Sequence, residues 1–350
     1  MTKLSGVERM LKALSRQEPD RVPHFDVHNK KVREAILPDA SYEEFVEHMD
    51  LDGIMVLDKV NAWSYEVVDE SKNIKRDQWG ALVRYTAEDL GVPIQFAIHS
   101  QRDLDGYSMP DPDDPKRYKW LQEVVKRFKG ERAIMAHATD VFDIAKESFL
   151  GDEAYFEAIV NNPELVDHVN KIVLDYNLRY LKNCIEIGAD IVLISGDYAM
   201  THSLFVSPKH TARFLTPSLA RMVELAHSLN VPIIKHTDGN IWKIFDLIVD
   251  TGVDGIHPID PMAGMDIGEA KQKYGQKICL CGNINCGETL CWGTVDQVRK
   301  EVKECFRKAA HGGGYICVSS NSIHSGVKPE NYVAMVKAIR DYGNYPIQLD

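Results

Sequence analysis

No stretch of this 350-residue sequence comes near about 18 consecutive apolar residues, so no segment is suited to cross a bilayer as a helix. Basic runs are missing too. With 41 Lys and Arg against 52 Asp and Glu, the formal net charge is −11. That balance disfavours a surface for nucleic acid or an anionic membrane. The opening residues, MTKLSGVERMLKALSRQEPDRVP, lack the apolar core and small-residue cleavage site of a secretory signal and read instead as an amphipathic helix. Paired CxxC spacings of the zinc-finger kind are absent. The seven cysteines are an odd number in a long chain, and six of them fall between Cys279 and Cys317. Reduced thiols, some of them candidate metal ligands, fit that distribution better than a disulfide framework, and they point to the cytoplasm. No GxGxxG follows the first apolar run, which removes the main sign of a dinucleotide-binding fold. No Ser/Gly/Pro-rich linker divides the chain, so residues 1–350 are read as one domain.

What is present is a repeating unit. A short apolar run ends in polar or acidic residues, and a helical segment with a legible start follows. The runs are RVPHFDVH (21–28), LDGIMVLD (51–58), AIMAHATD (133–140), DIVLISGD (190–197), VPIIKHTD (231–238), DGIHPID (254–260), ICLCGN (278–283) and YICVSSN (315–321). Proline at the first helical position marks starts at Pro163, Pro208 and Pro329, because its missing N–H costs nothing there. Ser41 with Glu44 and Thr294 with Gln297 read as capping boxes. Gly188, Gly252, Gly275 and Gly312 are expected to end helices in the left-handed region. Alternating strands and helices with short connections imply a parallel sheet, and eight units imply an α/β fold of the (β/α)8 TIM-barrel type with an additional N-terminal helix. Residues 60–112 break the rhythm and are read as an insertion after the second strand, a hairpin folding over the barrel mouth.

In such a barrel the residues just past each strand converge on one cavity. Here they include Asp26 and His28, Asp58, His137 and Asp140, Asp197, His236 and Asp238, His257 and Asp260, Cys281 and Asn283, and Ser320, Asn321 and His324. Aspartate and asparagine also cap following helices, so about half of these carboxylates are assigned to capping. The sharpest feature is KHTDGN (235–240). His236 and Asp238 are two apart at a strand end and can point to one side, as a ligand or acid/base pair or as a core histidine held by a capping aspartate. Gly239 permits the sharp turn that follows. Cys281, nearest the mouth among the cysteines of its strand, could join His236 and Asp238 on zinc, or could simply fill the barrel as a small hydrophobe. Tyr198, Met200, Phe205 and Trp242 could line a pocket for a flat apolar ligand.

Over nearly its whole length the chain resembles the uroporphyrinogen decarboxylase superfamily. The resemblance runs from ERMLKALSRQEPDRVP through FLGDEAYFEAIVNNPELVDHV and ISGDYAMTHSLFVSPKHTARFLTP to KHTDGN, GVDGIHPID, CGNINCGETLCWGTVDQVRKEV and GGGYICVSSNSIHSGVKPENY. It implies one of two chemistries. The first is decarboxylation of a polycarboxylate without cofactor, served by an arginine-bearing loop after the first strand. Here that place reads FDVHNKKVREAI, and acidic strand ends would repel such a substrate. The second is methyl transfer involving corrinoid proteins, often with zinc. Thiol-methylating members carry His-x-Cys after the fifth strand and another Cys after the eighth, where this chain has His236-Thr237-Asp238 and Asn321. The remaining type removes a methyl group from a methoxylated or N-methyl compound, here an aryl methyl ether (O-demethylation), and delivers it to a corrinoid protein. On that reading His236, Asp238 and Asp197 are catalytic. His28, Tyr198, Met200, Asn321 and His324 contact substrate. His236, Asp238 and Cys281 hold zinc, the corrinoid arrives on a partner protein, and a homodimer is expected. The alternatives are a cofactor-free decarboxylase or lyase acting on a smaller acid, and a non-catalytic binder of a tetrapyrrole or corrinoid protein.

Overall fold

The structure, a computed structural model, describes residues 3–57, 66–85, 91–98 and 101–349. Asp58 lies outside them. Strand β1 (Gly53–Val56) is followed by an antiparallel sheet of four short strands, β2 (Glu66–Asp69), β3 (Ile74–Arg76), β4 (Leu82–Tyr85) and β5 (Gly91–Gln95). The main sheet then continues with β6 (Ala133–Thr139), β7 (Ile191–Ser195), β8 (Ile233–His236), β9 (Gly255–His257), β10 (Cys279–Ile284) and β11 (Tyr315–Ser319). Its seven strands are parallel and ordered β1-β6-β7-β8-β9-β10-β11, each neighbour being the next unit in the chain. This is a curled α/β sheet with helices outside it.

The first apolar run, 21–28, is extended chain, not a regular strand. It nevertheless lies between the two edges of the sheet. Asp52 N donates to His24 O (2.8 Å), while Cys317 N donates to Pro23 O (3.0 Å) and Ile323 N to Val27 O (2.7 Å). Pro23 has no N–H to give, which interrupts the ladder that the neighbouring residues would otherwise complete.

Two packed layers follow from the period-two alternation of these strands. Inward side chains, Phe25, Met55, Met135, Leu193, Ile234, Cys279, Cys281, Ile316 and Val318, form one cluster, closed at the bottom by Val7, Met10, Ala13 and Leu14 of the first helix (Gly6–Leu14). Outward side chains pack under the helices in a larger cluster. Burying each such residue stabilises the fold by about 1.5–3 kcal/mol. Buried charges pin the first helix in place: Arg9 bonds Asp52 (2.5 Å) and Asp20 (2.7 Å), and Arg21 bonds Asp52 (2.7 Å). The pairing is needed because an unpaired buried charge is costly.

Helices start at Pro163, Pro208 and Pro329, and both expected capping boxes form. Gly188, Gly252 and Gly312 have positive φ, but Gly275 stays right-handed at φ −61°. Instead of a hairpin, residues 66–95 contribute four strands. They dock on the segment after β6: Ala97 N and Ile98 N donate to Ser148 O and Phe149 O, and Ser148 Oγ donates to Asp77 Oδ2 (2.8 Å). Among the described residues, no helix is long and apolar enough to cross a membrane.

Candidate active site

Four strand ends build the site. β7 leads into Asp197, β8 ends in His236 and leads into Asp238, β9 ends in His257, and β11 leads into Asn321. Register sets Ser195 beside His236 and His236 beside His257, so the histidines lie side by side in the layer above Ile234. The turn after β8 is tight. Gly239 has φ +84°, and a Cβ there would lie 2.5 Å from Ala199 O, so only glycine fits. That turn brings Asp238 back over His236.

His236 Nε2 stands 3.8 Å from both Asp197 Oδ1 and Asp238 Oδ1. Among the described residues, Asp197, His236 and Asp238 form the group whose ligand atoms all lie within 4.8 Å of one another. Asp238 N donates to Asp197 Oδ1 (2.8 Å), which fixes one carboxylate against the other's backbone. Asn321 Nδ2 donates to Asp238 Oδ2, and Asp238 Oδ1 is buried without a hydrogen-bond partner. Burial, with Asp197 and Asp260 nearby, pushes the Asp238 carboxyl up to about 8. Burial, with Lys235 and His137 nearby, holds His236 down to about 3. Neutral imidazole is the form that ligates metals.

Lys235, adjacent in sequence, does not offset these carboxylates. It is fully buried and donates to Asp140 Oδ2 (2.7 Å) and Gly196 O (2.8 Å), lying 4.1 Å from the Tyr198 ring centroid. Asp140 also accepts from Phe142 N as a helix cap, and Asp260 accepts from Met262 N and Gly239 N. The strand-end aspartates therefore divide: Asp140 and Asp260 cap, whereas Asp197 and Asp238 face His236.

The remaining sequence-selected residues scatter. Cys281 is fully buried in the inward cluster, its thiol pushed well above its usual range by burial, and Asp197 takes the third place in the ligand group. His28 lies on the outward side, against Phe45 and Tyr332 at 4.9 and 4.8 Å between ring centroids, with both ring nitrogens buried and unpartnered. Tyr198 is fully buried, donating its hydroxyl to Asp140 Oδ2 (2.8 Å). Met200 is half exposed. His324 is exposed, 3.5 Å from Cys291 Sγ. Phe205 stacks on Phe156, and Trp242 packs on Phe245.

His257, a strand end without an assigned role in the sequence, lies beside His236 in the structure, and Asp143 and Lys146, 3.1 Å apart, stand near Asp197. His257 had a signal: GIHPID repeats the polar-residue-at-strand-end pattern of KHTDGN. Asp143 and Lys146 had none, because their helix brings them to the mouth only after folding.

One imidazole and two carboxylates are a donor set that suits zinc or a similar divalent ion, three ligands leaving the fourth position of a tetrahedral site to a further one. The orphaned Asp238 Oδ1 fits that use.

A curated uroporphyrinogen decarboxylase of Psychromonas ingrahamii is 23% identical over 97% of this chain and 98% of its own length. One of Alkalilimnicola ehrlichii is 21% identical over 95% and 93%. Among solved structures, a methyltransferase from Methanosarcina mazei superposes with a TM-score of 0.77 at 18% identity, over 97% of this chain and 99% of that one. A B12-independent methionine synthase from Shewanella gives 0.55 at 10% identity, over 93% of each. The family model for uroporphyrinogen decarboxylase matches residues 77–342, and the chain belongs to that family.

Proposed function

We propose that the protein is a methyltransferase that takes a methyl group from a small methoxylated aromatic or N-methyl compound and passes it to the cobalt of a corrinoid carried by a partner protein. The observation that carries this reading is the convergence of His236, Asp197 and Asp238 at the strand ends, with one carboxylate oxygen unpartnered. Similarity in fold to a methyltransferase supports it, as does an acidic mouth that would repel a polycarboxylate.

His236, Asp197 and Asp238 would hold a divalent ion, which when bound supplies a Lewis acid for the departing oxygen or nitrogen of the methyl donor. Asn321 keeps Asp238 turned toward His236, and the Asp238 N–H does the same for Asp197. A phenolate leaves as the anion of an acid with pKa about 10, so offsetting its charge would lower the barrier by several kcal/mol. Half-exposed Met200 would offer apolar surface to the donor's ring.

Cobalt(I) corrinoid, incubated with the purified protein and a panel of methoxyarenes and methylamines, should become methylated. No methylation with any donor would sink the reading. The alternative is cofactor-free decarboxylation of a smaller acid, favoured by the Asp238 carboxyl, which at about 8 could hand a proton to a carbanion. It requires turnover without corrinoid and indifference to chelators.

A further inference from the structure

Among the described residues, Trp292 is the most exposed large apolar side chain, at 80%. It does not sit on a frayed end. It closes a four-residue helix (Thr289–Trp292) that follows β10, and buried Asn331 pins that helix from beneath. Asn331 Nδ2 donates to Thr289 O, Leu290 O and Gly293 O, at 3.3, 3.1 and 3.0 Å. Lys328 N donates to Leu290 O (3.1 Å), and its ammonium reaches Trp292 O and Gly293 O, each at 3.4 Å. The next helix (Val295–Cys305) starts at once on the Thr294–Gln297 capping box. Backbone bonds on both sides therefore hold the indole outward, although leaving a tryptophan in water forgoes a large apolar burial. Half-exposed Met262 belongs to the same surface, since its Sδ would lie 2.5 Å from a Cβ on Gly287, in the turn before that helix. Beside the indole runs a cleft of about 590 Å³. Gln297, Lys300, Glu301 and Glu304 line it from one face of the second helix, and Glu288 lines it as well. Three carboxylates thus share the cleft with one ammonium. Glu304 is paired with Arg307, whereas Glu301 and Glu288 accept from Asn285 N (2.7 Å) and Asn285 Nδ2 (3.4 Å), both neutral donors. Among the described residues, neither of these two has a cation.

We propose that this surface docks a partner protein through a basic segment, an arginine or lysine lying on the Trp292 ring with its charge in the cleft beside Glu288 and Glu301. A cation over an indole face is attracted by the ring, and tryptophan is the commonest kind of anchor in protein interfaces. Charge selects the occupant. An acidic or purely apolar segment would cover two carboxylates without compensating them, and a second copy of this chain brings a net charge of −11. The short helix follows β10, so the surface lies at the same end of the sheet as His236. The inference stands apart from the methyl-transfer reading and does not depend on it.

The test titrates the whole chain with a short capped peptide of alternating arginine and alanine, and with a control in which glutamate replaces arginine. Binding is read by calorimetry and by the indole N–H signal of Trp292. Wild type should bind the arginine peptide, shift that signal, and bind less well as salt rises. Trp292→Ala removes an exposed side chain and so leaves the fold intact. It should bind about tenfold more weakly or worse, as loss of an anchor does. Joint Glu288→Gln and Glu301→Gln substitution keeps an oxygen for each Asn285 bond and should weaken binding similarly. Equal affinity in wild type and Trp292→Ala would mean attraction to net charge alone and overturns the proposal. A glutamate peptide that binds as well overturns it too, as does an arginine peptide that fails to bind wild type.

Discussion

Two histidine–aspartate clusters, an outer one at Asp26 and an inner one at His236, handle the same electrostatic problem in different ways. In the outer cluster Ser319 N and Oγ donate to Asp26 Oδ1, at 3.1 and 2.5 Å. His24 Nδ1 lies 2.6 Å from Cys317 O and so donates there. This leaves Nε2 as an acceptor, 3.3 Å from the Tyr332 hydroxyl and 3.4 Å from Asp26 Oδ2. In the inner cluster His236 Nδ1 lies 2.6 Å from His257 Nδ1, and His236 Nε2 faces the carboxylates of Asp197 and Asp238. Both clusters set an imidazole Nε2 against carboxylate oxygen. The outer one has a single, fully buried carboxyl, which burial pushes up to about 8, so a proton settles the conflict. Two carboxylates crowd the inner one, and Asp197 is 40% exposed. One proton cannot neutralise both. Burial closes off the outer pair, whereas the inner cluster holds two acids and keeps an open side.

The largest expected effect would break the inner cluster. His236→Ala should abolish stoichiometric zinc and cut methyl transfer on the order of a thousandfold, read by elemental analysis and cobalt spectra. The matching change outside, His24→Ala, should leave both near wild type in the protein that folds.

Next comes the carboxylate that already has its own cation. Lys235→Met strands Asp140 in a fully buried position and should destabilise the protein by about 3–5 kcal/mol in chemical denaturation. A loss below about 1 kcal/mol would mean that the pair is not the anchor of β8.

Zinc at a hundred times its dissociation constant should raise wild-type stability by about 2.7 kcal/mol, seen as a higher Tm. Asp238→Asn should lose most of that rise. Asp26→Asn should keep it, and an equal loss in both variants would erase the distinction between the clusters.

The smallest effect concerns pH. The Asp26 carboxyl titrates near 8 when folded and near 3.9 when unfolded, so the folded state holds the extra proton. Stability from this group is complete below about pH 4 and is lost as pH rises toward and through 8. Asp26→Asn keeps an oxygen for Ser319 and removes the titration. It should gain stability relative to wild type as pH rises from 4 to 8 and be no better at pH 4, by denaturant melts at each pH. A parallel pH profile in the two proteins would contradict the burial argument.

The strands of the main sheet were legible because their residues carry a local signal: apolar runs bounded by capping residues, proline at helix starts and glycine at most ends. His236 and Asp238 were legible for the same reason, standing two apart at the end of such a run. The run at 21–28 reads as an eighth strand, but Pro23 has no N–H to donate to a ladder, and only scattered bonds to both sheet edges reveal the run's place. The strand number of the inserted sheet at 66–95 is not legible in the sequence because β2 and β5 expose most of their side chains, so they lack a clear apolar pattern. Asp197 and Asp260 look alike in sequence, each an aspartate after a strand. Backbone N–H groups claim Asp260 for capping, while Asp197 stays turned toward His236.

The α/β alternation, the family and the polar strand ends were all written in the sequence, since each depends on residues within a few positions of one another. Tertiary structure alone decided that Asp197 and not Cys281 stands with His236 and Asp238, that His28 faces the outer layer, and that His257 lies beside His236. Those outcomes depend on which of two faces each strand residue occupies and on the register between strands far apart in the chain. Period-two alternation makes a one-residue difference a change of side.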